Sequence, residues 1–455
     1  MASISSPGIG SGLDINGIVS QIVALERQPI TKLKAAASTI QTRISAYGQV
    51  QSLVSGVKDA AHKLAQASLW SSTSSASSAT SVATATSTGT AAPGVYEVEV
   101  TRLAKSHQVR SDRFASPTAA LGSAGTLKLA VGGGNTTDIV FTETDTVQEL
   151  RDRINGAGAG VTANLVTGTI GGVSGTYLML RSSNTGATQT ISTDGSTGLP
   201  SELSTLTQMQ AAQDAQVVVD GVTITSATNT VADAPSGVTL SLASTSASPF
   251  SITVSADKEG QRKAINDFVT AYNALNSYLA DQTKYDDFTK RGGTLQGDSG
   301  ALTVRQQMRT VLRETNTAPA TFRALSDIGF SMNDSGALTV KESTLNQALT
   351  QPAELGRLFA NVTEQGTATR GLALRIRDLG DTLTGSSGIV TSRTEGLRTR
   401  LKRNEEDQAA LEDRVERTRK RLLQQYQSLD ARMSTLNGQG SYVSQQLAML
   451  NNSQS

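Results

Sequence analysis

Apolar residues near the amino end recur in steps of three and four. From Ile30 they fall at Leu33, Ala37, Ile40, Ile44 and Tyr47, then at Val50, Val54, Val57, Ala61 and Leu64. Apart from the Tyr47–Val50 step, this is the spacing of a coiled-coil seam. Pro29 stands just ahead, where a first helical turn tolerates a missing N–H. Many seam positions are small, which suits close packing among several helices. The spacing returns beyond Thr391, with Leu397, Leu401, Leu411, Val415, Leu422, Leu429 and Leu436 on one heptad grid. The remaining slots are Asn404, Gln408, Thr418, Gln425 and Arg432, polar enough to make such a helix weak alone. Both ends of the chain therefore predict long helices that need partners.

Between them the period changes. Tyr96, Val98 and Val100 alternate with Glu97, Glu99 and Thr101, the pattern of a half-buried strand. Val238, Leu240 and Leu242, then Phe250, Ile252 and Val254, predict two more. Residues 217–224 read as a hairpin, because Asp220-Gly221 supplies the positive φ angles of a tight turn. A Gly-rich block near 119–205 carries strands at Leu127–Val131 and Tyr177–Leu180 and a short helix from Thr146 to Asn155. Ser71 to Ala92 is almost entirely Ser, Thr and Ala and reads as a linker or an extended edge segment. Helical spacing resumes with Ile265, Phe268, Tyr272, Leu275 and Leu279. It continues around Leu302–Leu312 and through Leu372, Ile376, Leu379 and Leu383.

These regimes predict an α+β multidomain fold: terminal coiled-coil helices joined to a helical domain, with two β-rich domains inserted between them. The expected divisions are a leg of residues 1–69 with 391–455, a mainly helical domain of 70–93 with 256–390, a β-rich domain of 94–118 with 206–255, and an inserted β-rich domain of 119–205.

Composition narrows the chemistry. Across 455 residues there is no cysteine, and only two histidines, His62 and His107. Thiol nucleophiles, disulfides and cysteine–zinc sites are excluded, and a His-rich metal site is too. Forty basic against 39 acidic side chains leave no global pull toward nucleic acid or anionic membrane. No run of about 18 apolar residues predicts a membrane span. Residues 1–14 lack the basic and apolar regions of a cleaved secretory signal.

Four motifs have a plain structural reading beside a chemical one. Gly8-Ile9-Gly10-Ser11-Gly12 has no strand before it and no Lys-Ser or Lys-Thr after it, so a turn into a helix capped by Asp14 is preferred to a phosphate loop. Ser331 to Gly336 with Glu342 mimics a calcium loop, but Ser331 and Ser335 replace two carboxylates, and a hairpin turn is the simpler reading. The basic run Arg417–Arg421 has acidic neighbours at helical spacing, Glu405, Glu406, Glu412, Asp413 and Glu416, as a solvated helix face does. Asp286-Asp287 and Glu412-Asp413 are adjacent pairs, which diverge on a helix and make no acid–base couple. No catalytic constellation emerges, and no cofactor is expected. An interaction protein is.

Gly8 to Val19 with Glu26-Arg27-Gln28-Pro29-Ile30 resembles the opening of the bacterial flagellar filament cap proteins, the flagellar hook-associated protein 2 family. The resemblance continues through Gly94 to Val100, Val218-Val219-Asp220-Gly221 and Gly237 to Leu242. Glu149 to Asn155, leading to Gly160-Val161-Thr162-Ala163, is similar to the Ile-Asn motif module of flagellar axial proteins. The resemblance implies export of an unfolded chain through the flagellar type III apparatus. It implies a homo-oligomeric ring at the distal filament tip, outside the cell, and retention and folding of flagellin beneath that ring. Filament-junction proteins and a cytoplasmic export chaperone on the C-terminal helix are the other implied partners; membrane insertion and nucleic acid are not. On that footing Ile30, Leu33, Ile40, Ile44, Tyr47, Val54, Leu397, Leu401, Leu411, Val415, Leu422, Leu429 and Leu436 are expected to form a partner-binding leg surface. The alternatives are a hook–filament junction protein, a secreted coiled-coil adhesin, or an enzyme carried on an axial scaffold.

Overall fold

A computed structural model describes residues 14–89, 91–288, 290–362 and 368–452. The chain forms two compact units, Met1–Gln66 with Arg262–Ser455, and Ala67–Gln261.

The first unit is mainly helical. A helix at Ile15–Glu26 begins at Asp14, whose carboxylate accepts from the Gly17 N–H at 2.8 Å. After Arg27 a 37-residue helix, Gln28–Leu64, follows with Pro29 in its first turn. The last helix, Ile389–Asn452, has 64 residues and is therefore about 95 Å long. Toward the start of the seam helix Ile30 clusters with Val415, and further along it Tyr47 lies beside Arg393. Rising numbers on one helix meet falling numbers on the other, so the two run antiparallel. The helix Leu372–Thr384 takes over the far end of Gln28–Leu64, and Lys58 meets Asp381 there at 3.3 Å. Gly380 allows that approach, since a Cβ would come within 3.0 Å of the Lys58 side chain.

Helices at Lys258–Thr283 and Ser299–Arg313 complete the helical core. The expected stripe of Ile265, Phe268, Tyr272, Leu275 and Leu279 is wholly buried. Phe330–Met332 pairs with Leu338–Val340 around the Asn333–Gly336 turn. Asn333 accepts from the Ala337 N–H within that turn, and the Tyr272 hydroxyl donates to the Gly336 carbonyl. Glu342 opens the next helix, and its carboxylate lies 3.8 Å from Arg262.

The second unit holds two β lobes. In the first, Thr73–Ser77, Phe250–Ala256, Gly94–Arg102, Ala215–Val219 and Val222–Ser226 form one antiparallel sheet. Thr230–Val231, Val238–Leu242 and Ala83–Ser87 form a second. Val98, Val100, Val217, Leu240 and Ile252 share their core. Asp220 and Gly221 adopt the positive φ angles of the expected tight turn, and the Asp220 carboxylate accepts from the Glu97 N–H. The Ser/Thr/Ala stretch supplies two strands, at Thr73–Ser77 and Ala83–Ser87. Its backbone pairs with Phe250–Ala256 and Val238–Leu242.

The second lobe packs the helix Val147–Gly156 against a four-stranded and a three-stranded sheet. Thr146 and Glu149 close a capping box at its start. Asn155 exchanges two hydrogen bonds with the Ala163 backbone, which locks helix to strand. Strands at Gln108–Arg110 and Thr207–Gln210 belong to this lobe's sheet, so it reaches beyond 119–205 on both sides.

Candidate functional site

The terminal helices carry the candidate surface, and a polar node anchors it. Asp298 caps Ser299–Arg313 by accepting from the N–H groups of Gly300 and Ala301 at 2.8 and 3.3 Å. The same carboxylate accepts from the Tyr47 hydroxyl on the seam helix at 2.5 Å. Arg393, on the last helix, donates to Ser299. Gly300 has no room for a side chain, because a Cβ would lie 2.5 Å from the Tyr47 hydroxyl. Burial, reinforced by the hydrogen bond and charge of Asp298, pushes the Tyr47 hydroxyl well above its ordinary range, so it stays a donor. Burial opposes the charge on Asp298, but the Tyr47 hydroxyl, the two amides and Arg393 outweigh it and its pKa falls. Three helices are pinned at this point, and no sequence motif marks it.

Further along the seam, Ile15, Val19 and Val23 of the first helix join Ile30 and Val415 in one buried cluster. Leu411, Leu422, Leu423 and Tyr426 pack against it half-buried. Two grooves flank this region. One of about 610 Å³ lies between Asn16–Arg27 and Glu416–Leu423, and one of about 660 Å³ lies between Pro29–Ala36 and Asp407–Leu411.

The structure sorts the expected partner residues into three groups. Tyr47, Val54, Ile30 and Val415 are buried inside this chain, as is Leu397 at 9% exposure. These side chains hold the chain's own helices together. Leu33, Ile40, Ile44, Leu401, Leu411 and Leu422 are half-buried. Leu429 and Leu436 are exposed, at 44% and 59%. Beyond Asp430 every described side chain is exposed, including Met433, Tyr442, Val443 and Leu447. Of the polar slots, Asn404 is buried and accepts from Gln408 at 2.6 Å. One polar pair thus satisfies itself within the seam.

The other sequence candidates fall away from this surface. His107 is buried: the Ile191 N–H donates to Nδ1, and Nε2 faces the Gln208 carbonyl at 3.2 Å. It ties two strands of the second lobe together. His62 is exposed on the seam helix. Within the basic run, Arg417, Lys420 and Arg421 point to solvent and Arg419 pairs with Glu416. Asp286 and Asp287 lie on a loop hairpin instead of a helix. The Gly8–Gly12 motif lies outside the described residues. Among the described residues no group of three or more acidic or histidine side chains is placed to hold a metal. Nor is any helix there long and apolar enough to cross a membrane.

Comparisons with known proteins agree with this architecture. Family profiles match at residues 11–107 (flagellar hook-associated protein 2 N-terminus), 126–184 (flagellin hook IN motif) and 212–438 (flagellar hook-associated protein 2 C-terminus). The flagellar hook-associated protein 2 of Escherichia coli (strain K12) is 32% identical, with both chains covered in full. The A-type flagellar hook-associated protein 2 of Pseudomonas aeruginosa is 30% identical over 97% of each chain. The crystal structure of the D1-D2-D3 domains of the Escherichia coli flagellar cap protein superposes with a TM-score of 0.63. It shares 27% identity and covers 78% of this chain and 99% of its own. With its helical termini, its two β lobes and full-length relatives, this chain belongs to the flagellar hook-associated protein 2 family, the structural cap proteins of the bacterial flagellum.

Proposed function

We propose that this protein forms a ring at the distal tip of the flagellar filament, outside the cell. There it retains exported flagellin and promotes its folding and insertion into the growing filament. The observation that carries this reading is the bare apolar stripe at the end of the last helix. Leu429, Met433, Leu436, Val443 and Leu447 recur at heptad-compatible spacing and are all exposed. A stripe of this kind on a long single helix is a docking face for another helix. It is narrow and interrupted by Gln and Gly, which favours a contact that releases and re-engages as each subunit is added.

One stripe also serves two stages. In the cytoplasm an export chaperone covers it, and after passage through the type III apparatus axial partners do, since both need the same face. At the filament's base those partners are the junction proteins. The test is a strain lacking this protein, complemented with Leu429→Ser/Leu436→Ser. Hooks without filaments and flagellin released into the medium are expected. Filaments of normal length from the variant would overturn this assignment of the stripe, and filaments of normal length from the deletion strain would overturn the cap reading itself.

A further inference from the structure

Between the helices Lys258–Thr283 and Ser299–Arg313 the chain makes a small hairpin, Tyr285–Asp286 against Arg291–Gly292. Phe288 projects from it at 96% exposure. Single exposed hydrophobic residues are common, but this one sits on a shaped tip. The Asp286 carboxylate accepts from the Phe288 N–H at 2.9 Å. Beside it Asp287 is 90% exposed and lies 3.7 Å from Lys290. A pair that open to solvent contributes little and is readily exchanged.

A matching receptor exists on the same unit. Leu312, Leu325, Phe330, Met332 and Leu338 line a cavity of about 380 Å³ that opens to the surface. An apolar cavity of about 150 Å³ already admits benzene, so a benzyl side chain fits here. The Arg313 guanidinium stands at its rim, 3.7 Å from the Met332 sulfur. Arg309 and Arg305 follow at helical spacing behind it. Among the described residues none of the three forms an ion pair. Arg309 is held by Asn276 and the Ser335 carbonyl, and desolvation, then the charge of Arg309, lowers the pKa of Arg305. Among the residues that line the cavity Arg313 carries the charge, and the Asp327 carboxylate on the opposite wall is taken up by the Ala324 N–H and the Ser326 hydroxyl.

Phe288 does not fill this cavity in its own chain. The hairpin precedes the start of Ser299–Arg313 and the cavity lies at its end, 15 residues or about 22 Å away. We propose that Phe288 of one copy seats in the cavity of a second copy, with Asp287 facing Arg313. A knob at one end of a helix and a hole at the other make a head-to-tail contact, and repeated head-to-tail contacts close into a ring. The contact deepens the ring reading above and rests on it.

The absence of cysteine makes the test clean. In the full chain, Phe288→Cys with Met332→Cys should yield, on mild oxidation, a ladder of species larger than dimers, which neither single variant yields. Phe288→Ser should weaken association, read by sedimentation, about tenfold or more. Asp287→Arg and Arg313→Asp should each weaken it, and the two together should restore part of the loss, which misfolding would not mimic. If the wild type forms rings and Phe288→Ser forms them equally well, the knob contact is wrong and the ring stands. A wild-type chain that stays monomeric at every concentration removes the ring and this contact with it.

Discussion

The two halves of the last helix share one heptad spacing and have opposite fates. From Val390 to Tyr426 the seam meets the antiparallel helices of the same chain: Val390 and Val415 are buried, and Leu422 and Tyr426 lean on the cluster around Val23. From Leu429 onward the same kind of leucine faces solvent. The difference is not in the residues, because Leu422 and Leu429 occupy equivalent slots. It lies in how far the amino-terminal helices reach: the described part of the first helix starts at Ile15, and Tyr426 is the last residue of the last helix to join its cluster. Periodicity specifies which face is apolar. It does not specify which chain covers that face.

Charged substitutions give the sharpest break of this comparison. Val54→Asp places a carboxylate at a site with no solvent exposure. It should destabilise the helical unit by more than about 4 kcal/mol, seen as a loss of cooperative urea unfolding. Leu436→Asp, on the bare half, should change stability by no more than about 0.5 kcal/mol. Its effect belongs to assembly. Equal effects at the two sites would mean that both halves are covered, or that neither is.

A middle-sized effect tests whether the polar node fixes the inner half. Asp298→Ala removes a helix cap and leaves the buried Tyr47 hydroxyl without its acceptor. The expected loss is about 2–3 kcal/mol. Asp298→Asn keeps a capping side chain and removes the charge, which isolates the pH dependence. The carboxylate's pKa is lowered in the folded protein from an ordinary 3.8. Its stabilisation is therefore complete above the unfolded value and is lost as pH falls through the lower folded one. The stability gap between wild type and Asp298→Asn should be constant above about pH 5 and shrink below pH 4. A gap that grew on acidification would reverse the assignment.

How much of this was legible in the sequence depended on where the stabilising contact sits. Alternation in Tyr96–Val100 and Val238–Leu242, the Asp220-Gly221 turn and the Asp14 cap are local, and all appear as read. Thr73–Ser77 and Ala83–Ser87 carry almost no side-chain signal, because backbone pairing to remote strands makes them strands. The inserted lobe's outer strands, Gln108–Arg110 and Thr207–Gln210, are too short to show a period. The Tyr47–Asp298 bond joins residues 251 apart, so neither residue hints at the other. Tyr47 was legible as a seam residue, whereas its role in holding this chain's own helices was not. A buried tyrosine hydroxyl needs a partner, and Asp298 supplies it only once the chain is folded.

The smallest effect tests what sets the boundary between the halves. Arg27 and Glu412 meet at 3.3 Å beside the last well-covered turns, and both remain substantially exposed. If charge fastened the first helix to the last, Glu412→Gln would loosen residues 15–26 and move the boundary inward. Exposed pairs of this geometry contribute only about 0.2–1 kcal/mol and fade with salt. The apolar cluster of Ile15, Val19, Val23, Ile30 and Val415 buries several side chains, each stabilising by about 1.5–3 kcal/mol. Hydrophobic burial therefore dominates, and Glu412→Gln should leave amide-exchange protection in residues 15–26 nearly unchanged at about 0.15 M salt. Val19→Ala should lower it clearly in the same experiment, with the Tyr47 node untouched. The reverse order of effects would make the boundary electrostatic, and the covered half would then shorten as salt rises.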